Sequence, residues 1–263
     1  MLIGKPGEAK SALCTADAEH ILVRGRDLTA DLMGRQTFTE FFFFLMTGKE
    51  ATAQQRFFLD LLLVAIAEHG LTPTAIAARM TYDADPASLQ SALAAGILGC
   101  GTVILGTSQL CGDVLVAAEK RVAAGEEPDA VVAAMTAEVR TRGGRMPGFG
   151  HPVHRPVDPR TERIFALAAA EGVSGVHVDL AHRFKRAVDA AWGKPLVMNV
   201  SMPIAAVLLD LDFPATMIKA IPLLARTGGL LAHIAEEQTR PIGFLMASHA
   251  EDAIAYDGGG SAG

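Results

Sequence analysis

The chemistry-bearing residues of this 263-residue chain concentrate in the stretch "GGRMPGFGHPVHRPVDPR", residues 143–160. Glycines, prolines, histidines and arginines alternate there with neither a helical stripe nor strand alternation, so the stretch is expected to be a loop. Gly148 and Gly150 let the backbone turn sharply beside His151, and Pro152 restricts His151 itself to extended conformations. A histidine fixed in this way is suited to donate or accept a proton near neutral pH. Arg155 follows it. Asp158-Pro159 can turn the chain into a helix with Arg160 in its first turn, where free backbone N–H groups also favour an anion. A structural turn whose histidine bonds only to backbone is the plainer alternative, and the neighbouring arginines weigh against it.

Two further segments carry groups of the same kind. In "ARTGGLLAHIAEEQTRP", residues 225–241, Arg226 stands between the apolar runs "IPLLA" and "GGLLA". A guanidinium buried there needs a carboxylate from the protein or from a ligand, and its planar fork suits bidentate carboxylate recognition. Arg240 precedes Pro241. In "AEHGLTPTAIAARM", His69 closes an apolar helix just before Gly70 and either caps it or points into a cleft.

The elements that must position these groups read as helices. Hydrophobic residues make up 50% of the chain and aromatics only 6%, a composition of small aliphatic side chains suited to close-packed helices. "QTFTEFFFFLMTG" opens on capping threonines and ends on a glycine. Its four successive phenylalanines cannot share one stripe, so at least one should meet a neighbouring helix or another subunit. Helices follow over "AQQRFFLDLLLVAIAEH", over "ADPASLQSALAAGILGCG" with Asp85 and Pro86 as cap and first turn, and over "DVLVAAEKRVAAG" and "DAVVAAMTAEVRTRGG". Others cover "PRTERIFALAAAEG", "VDLAHRFKRAVDAAW", "MPIAAVLLDLD" and "PATMIKAIPLLARTGGLLAHIAEEQ". A short strand or hairpin is expected within residues 16–29, and the tail "YDGGGSAG" is expected to be flexible. The fold class is mostly α.

The bulk numbers exclude several functions. Three widely spaced cysteines, Cys14, Cys100 and Cys111, form neither a disulfide framework nor a zinc pattern, so the expected setting is cytoplasmic. A net charge of −6 with scattered basic residues argues against nucleic acid. The most apolar stretch, residues 92–106, is too short and glycine-rich for a membrane span and reads as a buried helix. "MLIGKPGEAK" has no apolar core of a signal peptide.

Together these segments resemble the citrate synthase superfamily over nearly the whole chain. "GFGHPVHRPVDPR" resembles its GFGHRVYKxxDPR loop, and "ARTGGLLAHIAEEQTRPI" its Ala-Arg-Thr-x-Gly…Ala-His…Arg-Pro ending. "KPLVMNVSMPIAAVLLD" is similar to the segment bearing its Asn-Val-Asp run, "AEHGLTPTAIAARM" to its Asp-His-Glu…Ala-Arg segment, and "AEHILVRGRDLTADLMGRQTFTEFFFFLMTGKE" to its N-terminal hairpin and first helix. The short chain is similar to the compact citryl-CoA lyase-like form and to the citrate-synthase-homology module of ATP-citrate lyase.

That resemblance implies a single unit over residues 1–263. Its large domain would cover roughly 1–110 and 200–263 and its small domain roughly 111–199, with the active site in the cleft of a homodimer or higher homo-oligomer. It implies a coenzyme A thioester and a di- or tricarboxylate as substrates, with no tightly bound cofactor, no metal and no membrane partner. His151 and Ser201 would be the catalytic positions, with His151 against the keto or hydroxyl oxygen. His69, Arg160, Arg226 and, from a partner subunit, Arg240 would bind the oxo-acid. Gly148, Gly150 and Arg155 would meet coenzyme A. Two departures stand out. Ser201 occupies the place of the family's catalytic aspartate, and Leu110 and Cys111 fall where synthases carry a His-Gly-Gly run. Asp113 could stand in as carboxylate, although a helix-surface charge is the simpler reading. His154 replaces the loop tyrosine, and Cys111 as a nucleophile finds no support. The expected function is citryl-CoA lyase-like cleavage, or formation, of a carbon–carbon bond between an acyl-CoA and an oxo-acid such as oxaloacetate. The alternative is a catalytically impaired homologue that binds CoA esters or di- and tricarboxylates as a sensor or subunit.

Overall fold

The structure is a computed structural model that describes residues 10–258. Most of "MLIGKPGEAK" and the end of the "YDGGGSAG" tail lie outside the described residues. The chain divides into two compact units, Met1–Asp60 and Leu61–Gly263, with the boundary inside a helix, α2 (Ala53–Ala67).

The first unit opens with an antiparallel meander of β1 (Cys14–Ala16), β2 (Ile21–Val23) and β3 (Arg26–Asp27), in register Cys14 to Val23 and Leu22 to Asp27. This is the small strand element expected near residues 16–29. Helix α1 (Phe38–Thr47) begins at Thr37, whose hydroxyl accepts the Glu40 N–H while the Glu40 carboxylate accepts the Thr37 N–H, a reciprocal capping box. It ends at Gly48 in the left-handed region, φ 74°. Of the phenylalanine run, Phe43 and Phe44 are buried and Phe41 and Phe42 half-buried. Phe44 packs in a small core with Val23 and Leu32.

The second unit is all helix among the described residues. It comprises α3 (Pro73–Ala84), α4 (Leu89–Leu98), α5 (Thr107–Ala123), α6 (Pro128–Thr141), α7 (Pro159–Ala170), α8 (Val176–Trp192), α9 (Ser201–Asp210), α10 (Ala220–Glu237) and α11 (Gly243–Ala253). Helix α9 is buried from Met202 to Leu208 and apolar all round, as a central helix must be; α5, α7 and α8 pack against it. A second group joins α3, α4, α10 and α11.

Two expected elements differ. Helix α4 begins three residues later than Asp85-Pro86 suggested: Asp85 ends α3, and the Ser88 N–H closes a separate turn on the Asp85 carbonyl before the helix starts with Ser88 as its cap. Residues 92–106 are not one buried helix. The helix stops at Leu98, a glycine-bearing turn follows, and Leu98 and Val103 are 85% and 89% exposed. No helix among the described residues is long and apolar enough to cross a membrane.

One buried ionic joint fastens the group around α9. His177, in the first turn of α8, meets Asp210 of α9 through Nδ1 at 2.7 Å and Glu119 of α5 through Nε2 at 3.3 Å. Asp210 also caps α8 by accepting the His177 and Val178 N–H groups. Burial opposes the imidazolium charge, but the two carboxylates outweigh it and raise the pKa of His177 above 6.5. A folded-state pKa raised above the unfolded one stabilises the fold fully below the unfolded value and loses that contribution as pH rises through the folded value. Thermal melts should therefore show stability declining above pH 6.5. His177→Leu should cost about 3 kcal/mol, the lower end for unmatching one partner of a buried pair, and should flatten that decline. An unchanged pH profile in the variant would refute this assignment.

Candidate active site

The second unit contains a cleft of about 650 Å³. His69, His151, Arg160, Ser201 and Arg226 all line it, together with Gly150. Residues scattered over more than 150 sequence positions thus converge on one wall.

The loop 143–160 is positioned by the segment preceding α9. Phe149 and Met198 form an antiparallel bridge, the Gly150 N–H donates to the Val197 carbonyl at 2.7 Å, and the Asn199 N–H donates to the Gly148 carbonyl at 2.8 Å. The Asn199 side chain donates to the Gly150 carbonyl at 3.0 Å and accepts the Ser201 N–H at 3.1 Å. His151 and Ser201 are therefore fixed relative to each other by backbone pairing. Gly148 makes the approach possible: its φ is +80°, and a Cβ there would come within 2.8 Å of Cys111 Sγ and 3.0 Å of Met202 Cβ.

Below this pairing lies Asp158, fully buried, which ties three features together. It caps α7 by accepting the Arg160 N–H at 3.1 Å. It receives the Arg160 guanidinium through Nε at 3.0 Å and Nη2 at 2.8 Å, and it accepts the Val200 N–H at 3.2 Å. Burial opposes its charge, but Arg160 and these N–H groups hold the carboxyl below its usual range. Arg160 thus reaches the cleft already neutralised on one side.

Arg226 differs. It is 4% exposed and donates from Nη1 to the hydroxyls of Thr72 at 3.0 Å and Thr74 at 3.4 Å, and from Nη2 to the Ile66 carbonyl at 3.4 Å, while Nε has no partner. Among the described residues no carboxylate pairs with it. Its helix comes close because Gly229 lacks a side chain, since a Cβ there would lie 2.0 Å from the Ala67 carbonyl oxygen.

Three imidazoles cluster here. The ring centroids of His151 and His154 are 4.3 Å apart, and His69 lies 5.6 Å from His151 and 5.5 Å from His154. Burial first, then neighbouring positive charge, lowers the pKa of His69 and of His151, although Asp158 partly opposes the shift at each. Nδ1 of His151 accepts the Val153 and His154 N–H groups at 3.0 and 2.9 Å. A nitrogen that accepts two N–H donors carries no proton, so neutral His151 presents Nε2–H to the cleft. Ligand nitrogens of the three rings lie within 4.8 Å of one another, a spacing that a metal ion could use. His151 does not fit that role, because its protonated Nε2 sits 3.5 Å from the Arg160 guanidinium; an anionic oxygen suits this corner better.

Other residues singled out in the sequence fall elsewhere. Arg155 and Arg240 are exposed and do not line this cleft. Asp113 is exposed and bonded to Gln109 at 3.0 Å, a helix-surface charge. Cys111 is fully buried, and burial pushes its thiol pKa up, which removes it as a nucleophile. Arg145, Thr72, Thr107 and Asn199 also line the cleft, although nothing in their sequence context singles them out as site residues. Arg145 lies within the loop 143–160 and Asn199 two residues before Ser201, positions that do not set them apart from their neighbours, and hydroxyls such as Thr72 carry no sequence signal of their own.

None of the described cleft-lining residues is acidic, while three are arginines and two histidines. Fold and site together define a mostly helical protein with a positively charged cleft in its second unit. The family described as "Citrate synthase, C-terminal domain" matches residues 8–243, and the chain belongs to the citrate synthase family. The citrate synthase of Haloferax volcanii is 25% identical over 198 residues, 74% of this chain and 50% of that protein. The chain spans about half the length of the curated relatives it matches. Among solved structures, the citryl-CoA lyase from Hydrogenobacter thermophilus superposes with a TM-score of 0.84 at 26% identity, covering 98% of this chain and 97% of that one. The ATP citrate lyase from Methanothrix soehngenii, solved with citrate and coenzyme A, shares the fold with a TM-score of 0.78 at 21% identity, covering 98% and 43%.

Proposed function

We propose that this protein cleaves, or forms, the carbon–carbon bond between an acyl-CoA and an oxo-acid, in the manner of a citryl-CoA lyase. The observation that carries this reading is the buried Arg226 guanidinium, which among the described residues has no carboxylate partner and faces a cleft lined by no acid. A cation in that position is completed by an anionic ligand. The likeness of fold to the Hydrogenobacter citryl-CoA lyase supports the same reading. Arg226 and Arg160 hold the carboxylates of the oxo-acid portion, and Arg240 of a partner subunit completes the clamp. Gly150 and Arg155 lie along the coenzyme A thioester, while Gly148, packed against Cys111 and Met202, lets the loop approach the segment before α9. No tightly bound cofactor is required.

In cleavage, the tertiary hydroxyl loses its proton, the adjacent carbon–carbon bond breaks, and its electron pair passes into the thioester enolate as the keto group forms. Nε2–H of His151 steadies the oxygen as charge develops on it. Because His151 is held as a donor, the hydroxyl proton goes to His69, which burial and nearby guanidinium groups keep neutral at pH 7. The enolate is protonated from water, with the Ser201 hydroxyl as a hydrogen-bond donor in place of the family's aspartate. The acid limb of kcat/KM should accordingly fall below pH 6.5, since His69 must be unprotonated to act.

The second reading is a binding protein without turnover, favoured by Ser201 and the acid-free cleft. Mass-spectrometric detection of acetyl-CoA and oxaloacetate released from citryl-CoA separates the two. Release by the wild type supports the lyase. Citrate binding without release, with release gained in Ser201→Asp, supports the sensor.

A further inference from the structure

Behind the cleft, α3 and α10 share a buried ionic network that the proposed reaction does not use. Its centre is Arg79, 1% exposed. Its guanidinium donates from Nε to His233 Nδ1 at 2.9 Å, from Nη1 to Glu237 Oε2 at 2.5 Å, and from Nη2 to Glu236. His233 Nδ1 is thereby occupied as an acceptor, so its Nε2 carries the proton and donates to Glu68 Oε1 at 3.0 Å. That same Glu68 oxygen accepts the His69 and Gly70 N–H groups at 2.8 and 2.6 Å, holding the turn that presents His69 to the cleft.

The network also runs the other way. Glu237 Oε1 accepts the Ile242 and Gly243 N–H groups at 2.5 and 2.7 Å, and the Glu236 carbonyl accepts the Arg240 N–H at 2.7 Å. The turn bearing Arg240 is thus fastened to the same guanidinium. It also sits tight on α3, since a Cβ on Gly243 would lie 2.3 Å from Asp83 Oδ2.

We propose that Arg79 is a positioning residue that couples the His69 turn to the Arg240 turn, so that ordering either one orders the other. The guanidinium is a rigid planar fork. Displacing Glu237 tilts the whole plane, moves His233 and loosens Glu68; a flexible ammonium would absorb such a shift. Resting on the reading of Arg240 as a group given to a partner's cleft, this coupling links two clefts, because the turn serving one is tied to the histidine of the other.

Amide hydrogen exchange on the full, ligand-free chain tests the coupling without relying on activity. Glu68→Gln perturbs one end and Pro241→Gly the other, both at the surface of the network. Each should raise exchange at the opposite turn, Ile242 and Gly243 in the first variant and His69 and Gly70 in the second. The expected rise is about fivefold or more, the lower end of coupling between linked sites. Arg79→Lys, which keeps the charge and removes the fork, should raise exchange at both turns. Exchange that rises only at the mutated turn, with either surface variant, overturns the proposal. A titration with oxaloacetate then separates the two readings. Coupled exchange with no oxaloacetate binding upholds the network and defeats the proposed function, whereas oxaloacetate binding with uncoupled turns does the reverse.

Discussion

Arg226→Leu is expected to weaken dicarboxylate binding severely while leaving the free protein as stable as before, or more so. The two effects have opposite signs because the guanidinium is buried without a carboxylate partner among the described residues. In the free protein a desolvated cation held by two threonine hydroxyls and one carbonyl is a net cost, and replacing it by an apolar side chain should gain about 1 kcal/mol or more. Thr72 and Thr74 do not become orphans, since their hydroxyls already bond to each other at 3.0 Å. In the complex the same change removes the ligand's charged partner from a dry site, which costs about 2–5 kcal/mol, or roughly 30-fold to several thousand-fold in affinity. Titration calorimetry with oxaloacetate or citrate and chemical denaturation of the same variant check both halves. A variant that binds normally, or that loses stability in proportion to binding, would make Arg226 an ordinary structural arginine.

The second large effect falls on turnover. His151→Ala should lower kcat for citryl-CoA cleavage by about 10²- to 10³-fold, the usual consequence of removing one donor to a developing oxyanion, with KM changed far less. The tautomer sharpens this expectation. His151 presents Nε2–H because its other nitrogen is held by the Val153 and His154 N–H groups, so what matters is a donor at that point. His151→Gln, whose amide can reach the same oxygen, should recover part of the loss, and His69→Gln should not mimic it, because the base has gone instead. Equal kinetics for His151→Ala and His151→Gln would show that donation from this position contributes nothing to the step.

Much of this site was legible in the sequence because its residues sit in local contexts with few physical solutions. Asp158-Pro159-Arg160 reads as a cap, a first-turn proline and a first-turn cation, and α7 begins in that way. An arginine between two aliphatic runs must be buried, and Arg226 is. The mostly helical class followed from small aliphatic composition and periodicity for the same reason: these are properties of short windows.

What failed were windows where periodicity and termination compete. Residues 92–106 are apolar enough for one buried helix, yet the glycines after Leu98 end it and leave Val103 in solvent beside the cleft. Asp85-Pro86 is a good helix opening by type, but the chain uses it in a turn, closed by the Ser88 N–H on the Asp85 carbonyl, before α4 starts.

The sequence by itself determined which residues are charged, which turns must form, and that a cation would be buried near the C-terminal end. Tertiary structure alone decided that, among the described residues, Arg226 has no carboxylate partner while Arg160 has Asp158. It alone set the tautomer of His151 and gathered an acid-free wall from five separated segments. The physical reason is that a side chain's type is local, whereas its charge state, its hydrogen-bond role and its missing partner depend on neighbours up to 160 residues away along the chain.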